Sequence, residues 1–225
     1  MTAAAPGSRP GTRSAATRAA ILAAAERLYA EHGLAAVSNR QISEAAGQGN
    51  VTAVNYHFGT RLDLVRAVMA RHGEPVDLLR GRYAARVEDP SDLRAWVRCL
   101  VGPATEYLAG LGVPSWQARC AVQVLTDPTA RNLVAEDSLA RPALATVMRG
   151  LEQGLAWLPP GVRRRRGAMA RNLLTHTCAE RERALATDTA LPYESWSDTA
   201  DELEDALYGL LTAPVTHHPH TREAP

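Results

Sequence analysis

Apolar residues recur along this chain at spacings of three and four, never in the alternating runs that a half-buried strand requires. Ala, Leu, Arg and Glu carry the pattern, and all four favour helix, so the expected fold class is all-α. The first apolar stripe, Ile21, Leu22, Ala25, Leu28 and Tyr29, predicts a helix over 17–32. Gly33 closes it, because a glycine takes the left-handed position after a helix end at no steric cost. Ser38-Asn39-Arg40-Gln41 has the form of a capping box and opens a short second helix, with Ile42, Ala45 and Ala46 facing inward. Gly47-Gln48-Gly49 breaks that helix, and a third of two turns is expected over 50–57. Thr60-Arg61-Leu62-Asp63 is a second capping sequence, opening a helix along Leu62, Leu64, Val65, Val68 and Met69. Gly73 and Pro75 are expected to kink or interrupt it before a segment over 77–87.

Beyond that point, proline, glycine and aspartate punctuate a series of further helices. They are expected over 92–110, 115–126, 139–158, 162–187 and 197–212, with an irregular or short helical piece over 129–136. Four regions follow: an arm over 1–16 and a tail over 214–225, both expected to be disordered, a head over 17–72, and a larger helical body over 73–213. No internal repeat is visible.

Composition narrows the possible functions. With 225 residues, 46% of them hydrophobic, the chain can bury one or two cores. No stretch approaches the ~18 uninterrupted apolar residues of a membrane span, and the start lacks the apolar segment of a signal peptide. Cys99, Cys120 and Cys178 are odd in number and widely spaced, which suits reduced core thiols in a cytoplasmic protein. The net charge of +1 hides an asymmetry. In residues 1–72, Arg9, Arg13, Arg18, Arg27, Arg40, Arg61, Arg66 and Arg71 face only Glu26, Glu31, Glu44 and Asp63, so a basic head sits on an acidic body. Such a head suits a polyanion. No Ser/His/Asp or carboxylate constellation stands out, so no enzyme activity and no cofactor are expected. Arg163–Arg166 reads as a solvated first helical turn, and His217, His218 and His220 as part of a loose tail with no metal role.

Two short helices joined by a glycine-bearing turn, between one helix before and a long one after, have the form of a helix-turn-helix. The runs Asn39-Arg40-Gln41-Ile42-Ser43-Glu44-Ala45-Ala46-Gly47 and Ala53-Val54-Asn55-Tyr56-His57-Phe58-Gly59-Thr60-Arg61 closely resemble the DNA-binding head of the tetracycline-repressor (TetR) family. The resemblance covers 17–72 and beyond it is one of architecture alone. It implies that the third helix lies in the major groove and that the Tyr-His-Phe corner and the start of helix two grip phosphates. The residues so implicated are Ser38, Asn39, Arg40, Gln48, Asn50, Val51, Thr52, Asn55, Tyr56, His57, Thr60 and Arg61. Their chemistry agrees: Asn pairs bidentately with adenine, Thr touches a thymine methyl, and Arg reads guanine or grips phosphate. The chain departs from the family pattern in three places. Gly47-Gln48-Gly49-Asn50 is one residue longer than the usual turn, Asn55 replaces a common Tyr, and Arg61 replaces a Lys.

By the same resemblance the body binds an effector and a second subunit. Trp96, Cys99, Tyr107, Trp116, Gln123, Trp157 and His176 are the candidate lining of a pocket for a small hydrophobic effector. Met169, Leu173 and Thr177, with Leu203, Ala206, Leu207 and Leu210, are the candidate homodimer interface, on helices whose apolar stripes would serve an intramolecular core equally well. The expected function is a regulator, a repressor released from a palindromic DNA operator by its effector. The alternative is a ligand-free activator or architectural DNA binder with the same head.

Overall fold

The computed structural model describes residues 10–50, 52–189 and 195–216, with side chains from residue 13 onward. Among them are ten helices and no strand: α1 (Pro10–His32), α2 (Asn39–Ala45), α3 (Ala53–Phe58), α4 (Arg61–Ala84), α5 (Leu93–Leu111), α6 (Gln117–Thr126), α7 (Pro128–Leu139), α8 (Pro142–Gly154), α9 (Pro160–Thr187) and α10 (Trp196–Thr212). None is long and apolar enough to cross a membrane.

Most helix starts follow local chemistry. Ser38 and Gln41 close a full capping box on α2, as Thr60 and Asp63 do on α4 and Ser195 and Asp198 on α10. Several boundaries differ from expectation. α1 begins at Pro10, so residues 10–16, expected to be part of an arm, are helical; Pro is well placed in a first turn, where its missing amide has no partner to lose. α4 runs through Gly73 and Pro75 without a break. The irregular or short helical piece expected over 129–136 is a helix, α7, longer than expected, because Asp127 accepts from the Ala130 amide at 2.9 Å while Pro128 supplies a favourable first residue. The expected tail lies outside the described residues from 217 onward, and the histidines there with it.

Two apolar cores form. Trp96, Val97, Val101, Leu108, Val147, Leu151, Leu158, Leu203 and Leu207 build the body. The head is built on Ile21, Tyr29, Ile42, Val54, Leu64 and Val68, but Cys120, Val124 and Ala130 of α6 and α7 complete it. Head and body are therefore not separate packing units, and α6 is the wedge between them. Leu203 and Leu207, 2% and 1% exposed, belong to the body core and cannot be interface residues; their stripe on α10 is turned inward against α5 and α9. Met169 and Leu173, by contrast, are 54% and 37% exposed, Ala206 is exposed, and Thr177 and Leu210 are half-buried.

Long-range polar contacts tie the helices end to side. Asp77 of α4 accepts from the amides of Ala143 (3.2 Å) and Leu144 (2.9 Å), so it caps α8 from across the body. Glu182 of α9, 2% exposed, caps α6 likewise, accepting from the Ala118 and Arg119 amides and the Ser115 hydroxyl while pairing with the Arg119 guanidinium at 3.2 Å. Arg166 donates to the carbonyls of Leu211 and Pro214 at the end of α10, so the Arg163–Arg166 run is only partly the solvated turn expected.

Candidate nucleic-acid interface and effector cavity

α2 and α3 are too short to be stable alone, and buried Ile42, Val54 and Phe58 hold them on the head core. That leaves one polar face outward. Ser38, Arg40, Asn50, Thr52, Asn55, Tyr56 and Thr60 are all exposed, and Tyr56 stands 84% exposed, more than any other large hydrophobic side chain among the described residues. The Asn39 amide donates to the Asn55 carbonyl oxygen at 2.8 Å, which joins α2 to α3 across this face. Arg40 lies beside them with its guanidinium on Glu44 at 2.8 Å.

The lengthened turn is ordered by its own side chains. Asn50 Oδ1 accepts from the Thr52 amide (2.9 Å) and hydroxyl (2.7 Å), and Gln48 donates to the Ala46 carbonyl at 3.0 Å. α3 consequently starts at Ala53, later than the 50–57 expected, and Asn50 and Thr52 sit in the turn rather than on the helix. Val51 lies outside the described residues. Gly47 and Gly59 take φ of 67° and 76°, left-handed values that a side chain would strain.

Arg61 departs from its expected place. Its guanidinium turns inward, donating to the Val37 carbonyl at 2.6 Å and lying 5.6 Å from the centre of the Tyr29 ring, with Nη2 buried. It ties α4 to the loop before α2 and does not face outward as a phosphate contact would. Sequence reasoning missed Arg18, whose guanidinium stacks 4.4 Å over Phe58 at the Tyr-His-Phe corner. An arginine on the exposed side of α1 was visible, but nothing in the spacing joined it to residues forty positions away. The basic surplus is also reduced locally: Arg27, Arg40, Arg66 and Arg71 each meet an acidic partner.

The expected effector residues do not converge. Trp96 and Cys99 are buried in the body core, where Trp96 packs on Gly150 and bonds to the Pro90 carbonyl. Trp116 packs on the head core and Gln123 lies against Gly33. Trp157 is 57% exposed in the turn between α8 and α9, and His176 is exposed on the outer side of α9, so neither is a lining residue. Tyr107 alone of the seven reaches a cavity of about 280 Å³ lined by residues of α4 through α9. His72, Gly73 and Arg80 of α4 form one wall of it, and Arg141 and Leu144 line it as well. Behind that wall, His72, 5% exposed, bridges the two parts of the molecule: Nδ1 is 2.9 Å from the Tyr107 hydroxyl and Nε2 is 2.8 Å from the Glu26 carboxylate of α1. The cavity, the α4 wall and the head are thus joined by one hydrogen-bonded line.

With this geometry in place, comparison with known proteins is informative. Residues 21–68 match the model of a family described as bacterial regulatory proteins, tetR family. Two crystal structures of NalD, the secondary repressor of the MexAB-OprM multidrug efflux pump in Pseudomonas aeruginosa, share the fold over 87% of this chain and 95% and 96% of theirs, at 22% and 23% identity and TM-scores of 0.55 and 0.53. PfmR, a TetR family transcriptional regulator from Thermus thermophilus, aligns over 88% of this chain and 96% of its own at 17% identity, with a TM-score of 0.47. No curated protein matches the sequence.

Proposed function

We propose that this chain is a TetR-family DNA-binding transcriptional regulator that acts as a two-fold repressor, released from a palindromic operator by a small-molecule effector. The observation that carries the reading is the outward polar face of α2 and α3, with Tyr56 exposed on it. An aromatic side chain left in water while its neighbours Val54 and Phe58 are buried needs a partner surface, and its hydroxyl suits a phosphate. On this reading Arg40 and the bonded pair Asn39 and Asn55 reach base edges. Ser38, Tyr56, His57 and Thr60 lie along the phosphates, with Arg18 added to the set and Arg61 acting only as a brace.

NalD is itself a repressor, which supports the direction of regulation proposed here. A ligand-free regulator would suit a body packed without a cavity; the space walled by α4 supports a ligand-responsive one. A bound molecule would favour one body arrangement, and α4 would carry the bias to the head by population shift. Two heads must sit about 34–36 Å apart to read successive major-groove faces, so a small change of α4 angle is enough for release.

Selection of bound duplexes from a random pool tests the reading. The expected result is a palindrome whose half-sites are about one helical turn apart. Arg40→Ala should relax preference at one base position per half-site, and Tyr56→Phe should weaken all sequences alike. Recovery of no common sequence, or binding indifferent to salt, would sink it.

A further inference from the structure

The cavity has a chemistry that the expectation of a hydrophobic effector did not foresee. Arg80, Arg141 and Arg171 all line it, with His72, and no Asp or Glu does. Two carboxylates lie behind the lining and both are engaged: Glu26 on His72 at 2.8 Å, and Asp77, which accepts from the Ala143 and Leu144 amides and lies 3.5 Å from the Arg80 guanidinium. Arg80 is 9% exposed and its Nε is buried with no hydrogen-bond partner. A buried guanidinium with an N–H lacking an acceptor is costly, and this one belongs to a residue that lines the cavity. Burial holds the Arg80 guanidinium below its usual range, and the neighbouring Arg141 charge acts in the same direction against the opposing effect of Asp77. Arg141 makes no ion pair among the described residues and rests against the α4 backbone at Gly73, where any side-chain carbon would collide with it. The remaining lining, including Met69, Val76, Leu108, Val134 and Leu144, is apolar.

We propose that this cavity binds a small organic anion with an apolar tail, its anionic end held by Arg80 and Arg141 and its tail lying on the leucine, valine and methionine side. The inference deepens the effector-release reading and rests on it only for its regulatory meaning. A volume of about 280 Å³ limits the occupant to a molecule the size of a medium-chain carboxylate. An organic cation is repelled by the same three arginines, and a neutral molecule forgoes the charge-assisted hydrogen bonds that their guanidinium groups offer.

Calorimetric titration of the full chain with octanoate, octanamide and octylamine tests this. Octanoate should bind about tenfold or more tighter than octanamide, with octylamine weakest. Arg141→Met should remove about tenfold from octanoate affinity, leave octanamide unchanged and keep the thermal midpoint, since Arg141 has no ion pair to lose. Octyl phosphate in place of octanoate distinguishes the two anionic heads, and tight binding of either supports the assignment. Octanamide binding as tightly as both anions, or octanoate affinity unmoved by Arg141→Met and Arg80→Met alike, overturns it. The same preparation is assayed on its selected DNA site. Octanoate binding without DNA release keeps the cavity assignment and overturns only the effector-release reading.

Discussion

At the residue scale, Arg61 is the instructive case. It lies next to an expected phosphate contact, Thr60, and a basic residue there invites the same role. Its guanidinium instead satisfies the Val37 carbonyl and covers Tyr29. Arg61→Gln should therefore lower the stability of the whole chain by about 1–2 kcal/mol, from the cost of an unsatisfied, partly buried carbonyl. Urea denaturation reads this directly. A variant with unchanged midpoint and uniformly weaker DNA binding would return Arg61 to the phosphate surface. The cysteines behave as the sequence reading expected. All three are buried, and burial pushes the Cys178 thiol up to about 12 and Cys120 higher still, so none is a reactive thiolate at neutral pH.

At the element scale, the two carboxylates that cap helices from a distance explain how short segments are held. α6 has no side-chain cap of its own, and Trp116 at its N-cap cannot supply one. Glu182 does so from α9 while also neutralising Arg119. Glu182→Gln should cost about 3 kcal/mol, because it leaves a buried arginine without its charge partner and weakens a helix cap. Since α6 completes the head core through Cys120 and Val124, the loss should also loosen the head. Amide exchange in α1 and α6 checks this, and fast exchange confined to α9 would contradict it. α4 carries the opposite lesson. Gly73 and Pro75 read as a kink or a break, and no break occurs: the helix continues, because its neighbours α5, α7 and α8 pack along its length. Local propensity was outweighed by burial of Leu64, Val65 and Val68 at one end and Asp77 and Arg80 at the other.

At the scale of the whole molecule, two-fold assembly is the step on which the proposed operator reading would depend. Of the seven candidate interface residues, Leu203 and Leu207 are removed by their burial. Met169 and Leu173 remain as an exposed apolar pair on α9. The expected outcome of Met169→Asp with Leu173→Asp is a folded monomer by sedimentation, with a loss of palindrome binding far exceeding that of a half-site. A dimer that persists in the double variant would place the interface elsewhere. The same scale holds the line from cavity to head, through Tyr107, His72 and Glu26, which no single helix contains.

What the sequence by itself determined is local. Helix period, capping boxes at Ser38 and Thr60, and the glycine turn follow from residues within four or five positions of each other, and so did the α2–α3 motif and its exposed polar side chains. Helix starts set by a proline or aspartate in the body were legible to within a few residues for the same reason, whereas the start of α1 at Pro10 was not. Only the tertiary structure decided which apolar stripe faces inward, since a helix with one apolar face looks alike whether it meets its own chain or another. It alone decided that Trp157 and His176 stand outside while Arg80 and Arg141 line one cavity. Those two arginines are about sixty positions apart, one on α4 and one at the N-cap of α8, and they come together only when α4 packs on α8. Electrostatic and cavity chemistry arise from such meetings, and periodicity carries no information about them.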